Sequence, residues 1–213
     1  LRKLNRKEKI GIRHLINGQL IDDFISNLSF RLTAAQQKVL GEIKTDMASS
    51  QVMQRLLQGD VGSGKTVVAT IACLAAIQSA HQAAFMAPTE ILARQHYEKI
   101  SGQLEQLVFN GRKLRLALLT GQDKQKEKIY QEIKEGKIDL VIGTHALLQE
   151  ELIFKDLSFI VIDEQHKFGV GQRALLPKKG SNPDVLIMTA TPIPRTLAIT
   201  LYGDLDISVI NEL

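Results

Sequence analysis

Gly59-Asp-Val-Gly62-Ser63-Gly64-Lys65-Thr66 sets glycines, a lysine and a threonine in the order G-x-x-x-x-G-K-[ST]. Glycines without side chains let successive backbone N–H groups turn inward on a polyphosphate, and a helix start behind them adds its positive end. Lys65 reaches the β and γ phosphates of such a ligand, and the Thr66 hydroxyl can ligate magnesium. A second constellation is Phe159-Ile-Val-Ile162-Asp163-Glu164, an apolar run ending in two acids. At the carboxyl edge of a sheet, Asp163 would hold magnesium beside Thr66, and Glu164 would orient or deprotonate the water that attacks a γ-phosphate. Taken alone, an acid pair at a strand end is a solvated turn; its catalytic reading comes from the glycine-rich loop.

The elements that must position these residues are legible in the flanking pattern. Apolar runs predict strands at Met53 to Gln58, Ala83 to Ala87, Lys113 to Thr120, Asp139 to Gly143, Phe159 to Ile162 and Asp184 to Thr189. Several are nearly unbroken, as suits a parallel sheet buried on both faces. Helical stretches between them, at about Lys65 to Ala80, Glu90 to Leu107, Lys124 to Glu135 and Arg195 to Leu201, are long enough for crossovers. Thr33-Ala-Ala-Gln36 is a capping box that opens a further helix toward Ala48. The expected fold is α/β, an open and mostly parallel sheet sandwiched by helices. Residues 1–29 combine a basic start with a loose apolar pattern and read as a linker or connecting helix ahead of a domain at 30–213.

The chain has 213 residues, of which 44% are hydrophobic and 23% charged, enough apolar material for one sizeable core. A net charge of +4 mildly favours an anionic partner such as nucleic acid. The one cysteine, Cys73, excludes an internal disulfide and a multi-thiolate zinc site, and fits buried packing in a reducing cytoplasm. Val67 to Ile77 is the most apolar stretch and is too short to span a bilayer. His14, His81 and His96 lack the neighbours that would make a transition-metal site, which leaves magnesium with nucleotide as the only metal implied.

Taken in order, Gly59 to Thr66, Ala87-Pro-Thr-Glu-Ile-Leu-Ala-Arg94, Gly143-Thr-His145, Asp163-Glu-Gln-His166 and Thr189-Ala-Thr191-Pro-Ile-Pro-Arg195-Thr196 resemble motifs I, Ia, Ib, II and III of a superfamily 2 DNA helicase. The tract Lys167-Phe-Gly-Val-Gly-Gln172-Arg173 and the long motif III make the likeness closest to the RecG type, the branched-DNA helicases. The resemblance covers roughly residues 30–213. It implies a RecA-like P-loop lobe that binds ATP and Mg2+, with Lys65, Asp163, Glu164, Gln165 and His166 in the catalytic centre. It assigns Gln36 to the adenine side, although the same residue is the third helical position of the capping box, and both readings stand. Thr189 and Thr191 would couple the γ-phosphate to motif III. Thr89, Arg94, Thr120, Gly121, Thr144 and His145 would meet the DNA backbone, where small hydroxyls and helix starts suit phosphate oxygens. Each of these is also a plausible helix cap or surface group.

Trp is absent and aromatics make up 5%, so a stacking platform for single strands is not supported. Lys124 to Lys128 alternates with Gln and Glu and reads as a solvated face. The likeness further implies a longer parent, because nothing here matches motifs IV to VI of a second RecA-like lobe or a junction-splitting wedge domain. A bacterial, cytoplasmic, nucleoid-associated enzyme without a membrane span is expected. The competing readings are a transcription-repair coupling translocase, a self-contained P-loop enzyme, and a nucleotide-gated binding module with residues 1–29 as a docking arm.

Overall fold

The computed structural model describes residues 10–121, 126–163, 175–191 and 205–212. Its strands are β1 (Gln54–Gly59), β2 (Gln82–Met86), β3 (Val108–Phe109), β4 (Arg112–Lys113), β5 (Leu116–Leu119), β6 (Leu140–Gly143), β7 (Leu157–Asp163), β8 (Asp184–Thr189) and β9 (Asp206–Ile210). The helices are α1 (Gln19–Ser26), α2 (Ala34–Met47), α3 (Lys65–Gln78), α4 (Glu90–Leu104) and α5 (Lys126–Lys134). Among the described residues, seven strands form one sheet in the order β5-β6-β2-β7-β8-β1-β9, every neighbouring pair parallel. The central strands are buried along their whole length, which is why they appear in the sequence as continuous apolar runs.

Apolar clusters lie on both faces. On one, Leu20, Ile21 and Phe24 of α1, Val39 and Ile43 of α2, Ile71 and Leu74 of α3 and Ile100 of α4 pack over Leu57, Phe85 and Phe159. On the other, Ile133 of α5 joins Ala146, Leu147, Phe154 and Leu176 over Leu56, Val141 and Ile160. Helix α3 is buried from Val67 to Ile77 on every side, so it has no polar face to show in the sequence. Cys73 lies in the middle of it, fully buried, and desolvation pushes its thiol far up. No described helix is long and apolar enough to cross a membrane.

The expected strands and helices are present except where they fall outside the described residues, as the helix at Arg195 to Leu201 does. Besides small shifts at several element ends, one expected strand is divided, α4 ends early and one strand is unexpected. The run from Lys113 to Thr120 is not one strand. Val108–Phe109 and Arg112–Lys113 form an antiparallel hairpin whose turn, Asn110-Gly111, has φ of 51° and 75°, and β5 begins only at Leu116. Asn-Gly between two short strands is the usual two-residue hairpin signal, and it also ends the preceding helix at Leu104 rather than Leu107. Strand β9 had no counterpart in the apolar pattern, because it is an edge strand with alternating exposure and a buried Ser208. That serine accepts a hydrogen bond from Arg55 Nη1 at 2.7 Å, while Arg55 also pairs with Asp46 and Glu42 of α2.

Residues 10–26 are packed against the domain. Gly11 N–H donates to Ser50 O and His14 N–H to Met47 O, and Gln78 Nε2 donates to the Leu15 and Asn17 carbonyls. The His14 side chain sits beneath the amino edge of the sheet, with Nε2 2.9 Å from Ser158 Oγ and Nδ1 3.3 Å from Asp184 Oδ2. The Asp184 contact is close enough for attraction but poorly aligned for a hydrogen bond. Met53 N–H donates to the other Asp184 oxygen at 2.6 Å. Burial pushes the Asp184 carboxyl up, and His14 and the Met53 N–H hold it down. The serine, histidine and aspartate stand in the order of a hydrolytic triad, but Ser158 is fully buried and no substrate could reach it. They act as a clamp on the segment before α1.

Candidate nucleotide and nucleic-acid sites on one sheet edge

The glycine-rich loop joins β1 to α3. Gly62 and Gly64 have φ of 90° and 86°, a region costly for residues with a Cβ, and Gly64 is the residue on which α3 starts. A Cβ on Gly59 would lie 2.6 Å from Ser63 Oγ, and one on Gly64 would collide with the Gln36 amide. The loop is therefore compressed from both sides, and glycine is required at its two ends. Lys65 Nζ donates to the Gly59 and Asp60 carbonyls at 2.6 and 2.8 Å, which holds the ammonium over the loop. Ser63 Oγ is buried without a hydrogen-bond partner among the described residues. An orphan hydroxyl buried in a glycine-rich loop fits an incoming phosphate.

Gln36 is buried at the seam between α2 and this loop. Its Oε1 accepts from Thr33 N–H at 3.0 Å and Thr33 Oγ1 accepts from Gln36 N–H at 3.3 Å, so the reciprocal capping box is formed. Its Nε2 meanwhile donates to Ser63 O at 2.9 Å. The capping reading is thus realised in the geometry, with a bond to the phosphate loop added. The amide keeps one N–H and one acceptor site beyond these bonds.

Asp163 ends β7, and its place follows from register. Both Asp163 and Leu57 pair with Met188 of the intervening strand β8, and Gln58 pairs with Thr189. Asp163 therefore sits level with the end of β1, two strands or about 10 Å across the sheet. The phosphate loop, Asp163 and Thr189 occupy one half of the carboxyl edge. Thr189 is buried and its Oγ1 accepts from Thr191 N–H at 3.1 Å, so this threonine shapes the turn that follows it, and Thr191 is exposed. Glu164, Gln165 and His166 lie outside the described residues. The half-buried Thr66 hydroxyl and the Asp163 carboxylate are hard oxygen donors, the chemistry that suits magnesium.

The other half of the edge is made by β2, β6 and β5. Leu119 pairs with Gly143, which pairs with Met86, so the residues just beyond these three strand ends are neighbours. Thr89 caps α4, its Oγ1 accepting from Leu92 N–H at 3.3 Å, while Arg94 is exposed with no hydrogen bond or ion pair among the described residues. Gly121 N–H donates to Glu90 Oε1 at 3.2 Å, and a Cβ on Gly121 would lie 3.8 Å from His145 Nε2. His145 is exposed; Thr120 and Thr144 are buried, with Thr144 Oγ1 lacking a hydrogen-bond partner among the described residues. Thr89, Arg94, Gly121 and His145 are presented to solvent, whereas Thr120 and Thr144 support the loops from below.

Two residues here escaped the sequence reading. Glu90 is an acid among groups read as phosphate-facing. His96 of α4 places Nε2 2.9 Å from Asp163 Oδ2, a contact that sequence separation hides.

Comparison with known proteins agrees with this fold. The DEAD/DEAH box helicase family model matches residues 33–199. The ATP-dependent DNA helicase RecG of Bacillus subtilis (strain 168) is 50% identical over 214 residues, covering 100% of this chain and 31% of that protein. Its namesake from Streptococcus pneumoniae serotype 4 is 58% identical over 189 residues, 88% of this chain and 27% of the relative. Among solved structures, RecG bound to a three-way DNA junction superposes with a TM-score of 0.84 at 44% identity, covering 100% of this chain and 28% of that one. The helicase MrfA bound to DNA shares the fold, with a TM-score of 0.69 at 18% identity. The chain thus spans less than a third of the length of these RecG relatives. Since the matched span holds the phosphate loop, the acid-ended strand and the threonine tract in sequence, the chain belongs to the DEAD/DEAH box helicase family.

Proposed function

We propose that this chain is the ATP-binding first motor lobe of a RecG-type helicase, an enzyme that drives duplex DNA through a branch point at the expense of ATP. The observation that carries the reading is the division of one sheet edge. A phosphate loop and Asp163 stand over β1, β8 and β7, and Thr89, Arg94, Gly121 and His145 stand over β2, β6 and β5. A relative solved on a three-way DNA junction, with a TM-score of 0.84 over the whole of this chain, supports the branched-DNA part.

In this reading the loop N–H groups and Lys65 hold the β and γ phosphates of ATP, and Ser63 Oγ gains a partner where it has none among the described residues. Thr66 and Asp163 hold Mg2+, which neutralises developing charge on the phosphates. Glu164 orients the attacking water, Gln165 and His166 face the γ-phosphate, and Thr189 and Thr191 pass its state onward. Gln36 reads the adenine edge with the part of its amide that the capping box leaves over. The DNA contacts are to phosphates, so they position the duplex without reading its sequence. Residues 1–29 connect the lobe to a preceding wedge domain, and a second RecA-like lobe supplies the arginines that complete the transition-state site, in the cytoplasm and nucleoid of a bacterium.

Magnesium-dependent ATP binding and steady-state hydrolysis by this chain, with and without forked DNA and with Lys65→Ala as the blank, test the proposal. Binding with negligible turnover is expected, because an arginine from a partner domain is worth about 10³-fold or more. Robust turnover by the chain alone would instead mean a self-contained P-loop enzyme.

A further inference from the structure

The contact between His96 and Asp163 joins the two halves of the sheet edge. Helix α4 starts at the end of β2, among the loops of the second half, and His96 lies two turns along it. Strand β2 is the hydrogen-bonded neighbour of β7, with Met86 paired to Ile162, so the helix returns over β7 at its last residue. There His96 Nε2 and Asp163 Oδ2 are 2.9 Å apart, with side chains only 14% and 11% exposed. A carboxylate only accepts, so the hydrogen on Nε2 is the donor. Phe85, fully buried on β2, holds the imidazole, with ring centroids 4.6 Å apart and planes inclined by 45°.

This bond occupies one Asp163 oxygen and fixes the carboxylate plane. The other oxygen, Oδ1, takes no hydrogen bond from a described residue and is left for a cation. Carboxylate ligands of metals are commonly oriented by such a donor behind them, and losing it typically weakens the metal site by 10–100-fold. A histidine whose ring is wedged against a buried phenylalanine is stiffer than a solvent-facing partner would be. Because it is carried by α4, a shift of that helix moves the donor with it.

We propose that His96 is a positioning residue for the magnesium ligand Asp163, holding Oδ2 so that Oδ1 is presented to the cation of a bound nucleotide. This rests on the nucleotide-site reading above. The test is titration of a fluorescent ATP analogue into this chain in magnesium and in EDTA, for the unaltered sequence, His96→Ala and His96→Gln. The Gln amide nitrogen can replace Nε2 as donor, whereas Ala cannot. In EDTA all three should bind alike within about twofold, since the phosphate loop is untouched. The gain in affinity on adding magnesium should fall about tenfold or more in His96→Ala and return for the most part in His96→Gln. Thermal unfolding without nucleotide monitors folding of each variant. An unchanged magnesium gain in His96→Ala would overturn the inference, as would an equal loss in EDTA and magnesium, which is the mark of a packing role. If the unaltered chain itself shows no magnesium-dependent binding, the nucleotide-site reading fails first.

Discussion

Gln36 Nε2 donates to the Ser63 carbonyl across 2.9 Å, while the same amide closes the capping box of α2 through Thr33. One side chain therefore ties the start of a surface helix to the phosphate loop. Gln36→Ala should cost about 1 kcal/mol of stability, the usual worth of a lost cap or of one net hydrogen bond. If the remaining donor and acceptor of the amide read an adenine edge, ATP affinity falls about tenfold and GTP affinity falls less. Titration of both nucleotides decides it; equal losses would leave Gln36 as loop support alone.

Lys65 and Glu164 should separate binding from chemistry. Lys65→Ala removes the ammonium that the loop carbonyls of Gly59 and Asp60 hold in place, and it should weaken ATP binding by about 100-fold or more. Glu164→Gln, measured in the chain joined to the remainder of a RecG relative, should keep ATP affinity within a few-fold and stop DNA-stimulated hydrolysis. Loss of binding in both variants to the same extent would refute this division of roles.

Glu90 and Arg94 should act in opposite directions on DNA. The Glu90 carboxylate accepts the Gly121 N–H, the kind of donor that a backbone phosphate also seeks, and its charge repels one. Glu90→Gln should tighten duplex binding a few-fold at low salt, with the gain shrinking as salt screens it. Arg94→Ala should weaken binding to all sequences alike and reduce the slope of log affinity against log salt by about 1. Fluorescence anisotropy over a salt series reads both effects.

The clamp beneath the sheet should matter for folding only. His14→Ala leaves the Ser158 hydroxyl unpaired and removes the side chain packed beside the buried Asp184 carboxyl, at a cost of about 1–3 kcal/mol. Urea unfolding should record that loss, and nucleotide affinity should stay the same while the domain is folded. A parallel fall in affinity would show that the amino and carboxyl edges of the sheet are coupled.

Legibility in the sequence followed range along the chain. The glycine-rich loop, Asp163 at the end of β7 and the capping box could be read because each is complete within a few residues and its geometry is set by local backbone. The central strands could be read because burial on both faces forces continuous apolar runs. Strand β9 could not, since its exposure alternates and its anchor is Ser208 to Arg55, which lie 153 positions apart. The hairpin at Asn110-Gly111 was readable in principle, but the apolar run beside it masked the turn. His14 and His96 looked unpartnered because their partners Ser158 and Asp163 are 144 and 67 positions away. A histidine with no chemistry in its own neighbourhood is uninformative until the sheet order brings a distant strand end to it.

Helix α3 starts at the phosphate loop and has its thiol sealed in the core. Reagents that need a thiolate can attack Cys73 only when that helix opens to solvent, and Cys73 is the chain's single cysteine. The labelling rate is therefore a stopwatch for loss of the layer that bears the glycine-rich loop. Bound ATP at a hundredfold excess over its Kd should slow that clock by about a hundredfold. The sequence thus carries a spectroscopically silent reporter of ligand occupancy, one that needs no engineered cysteine to be used.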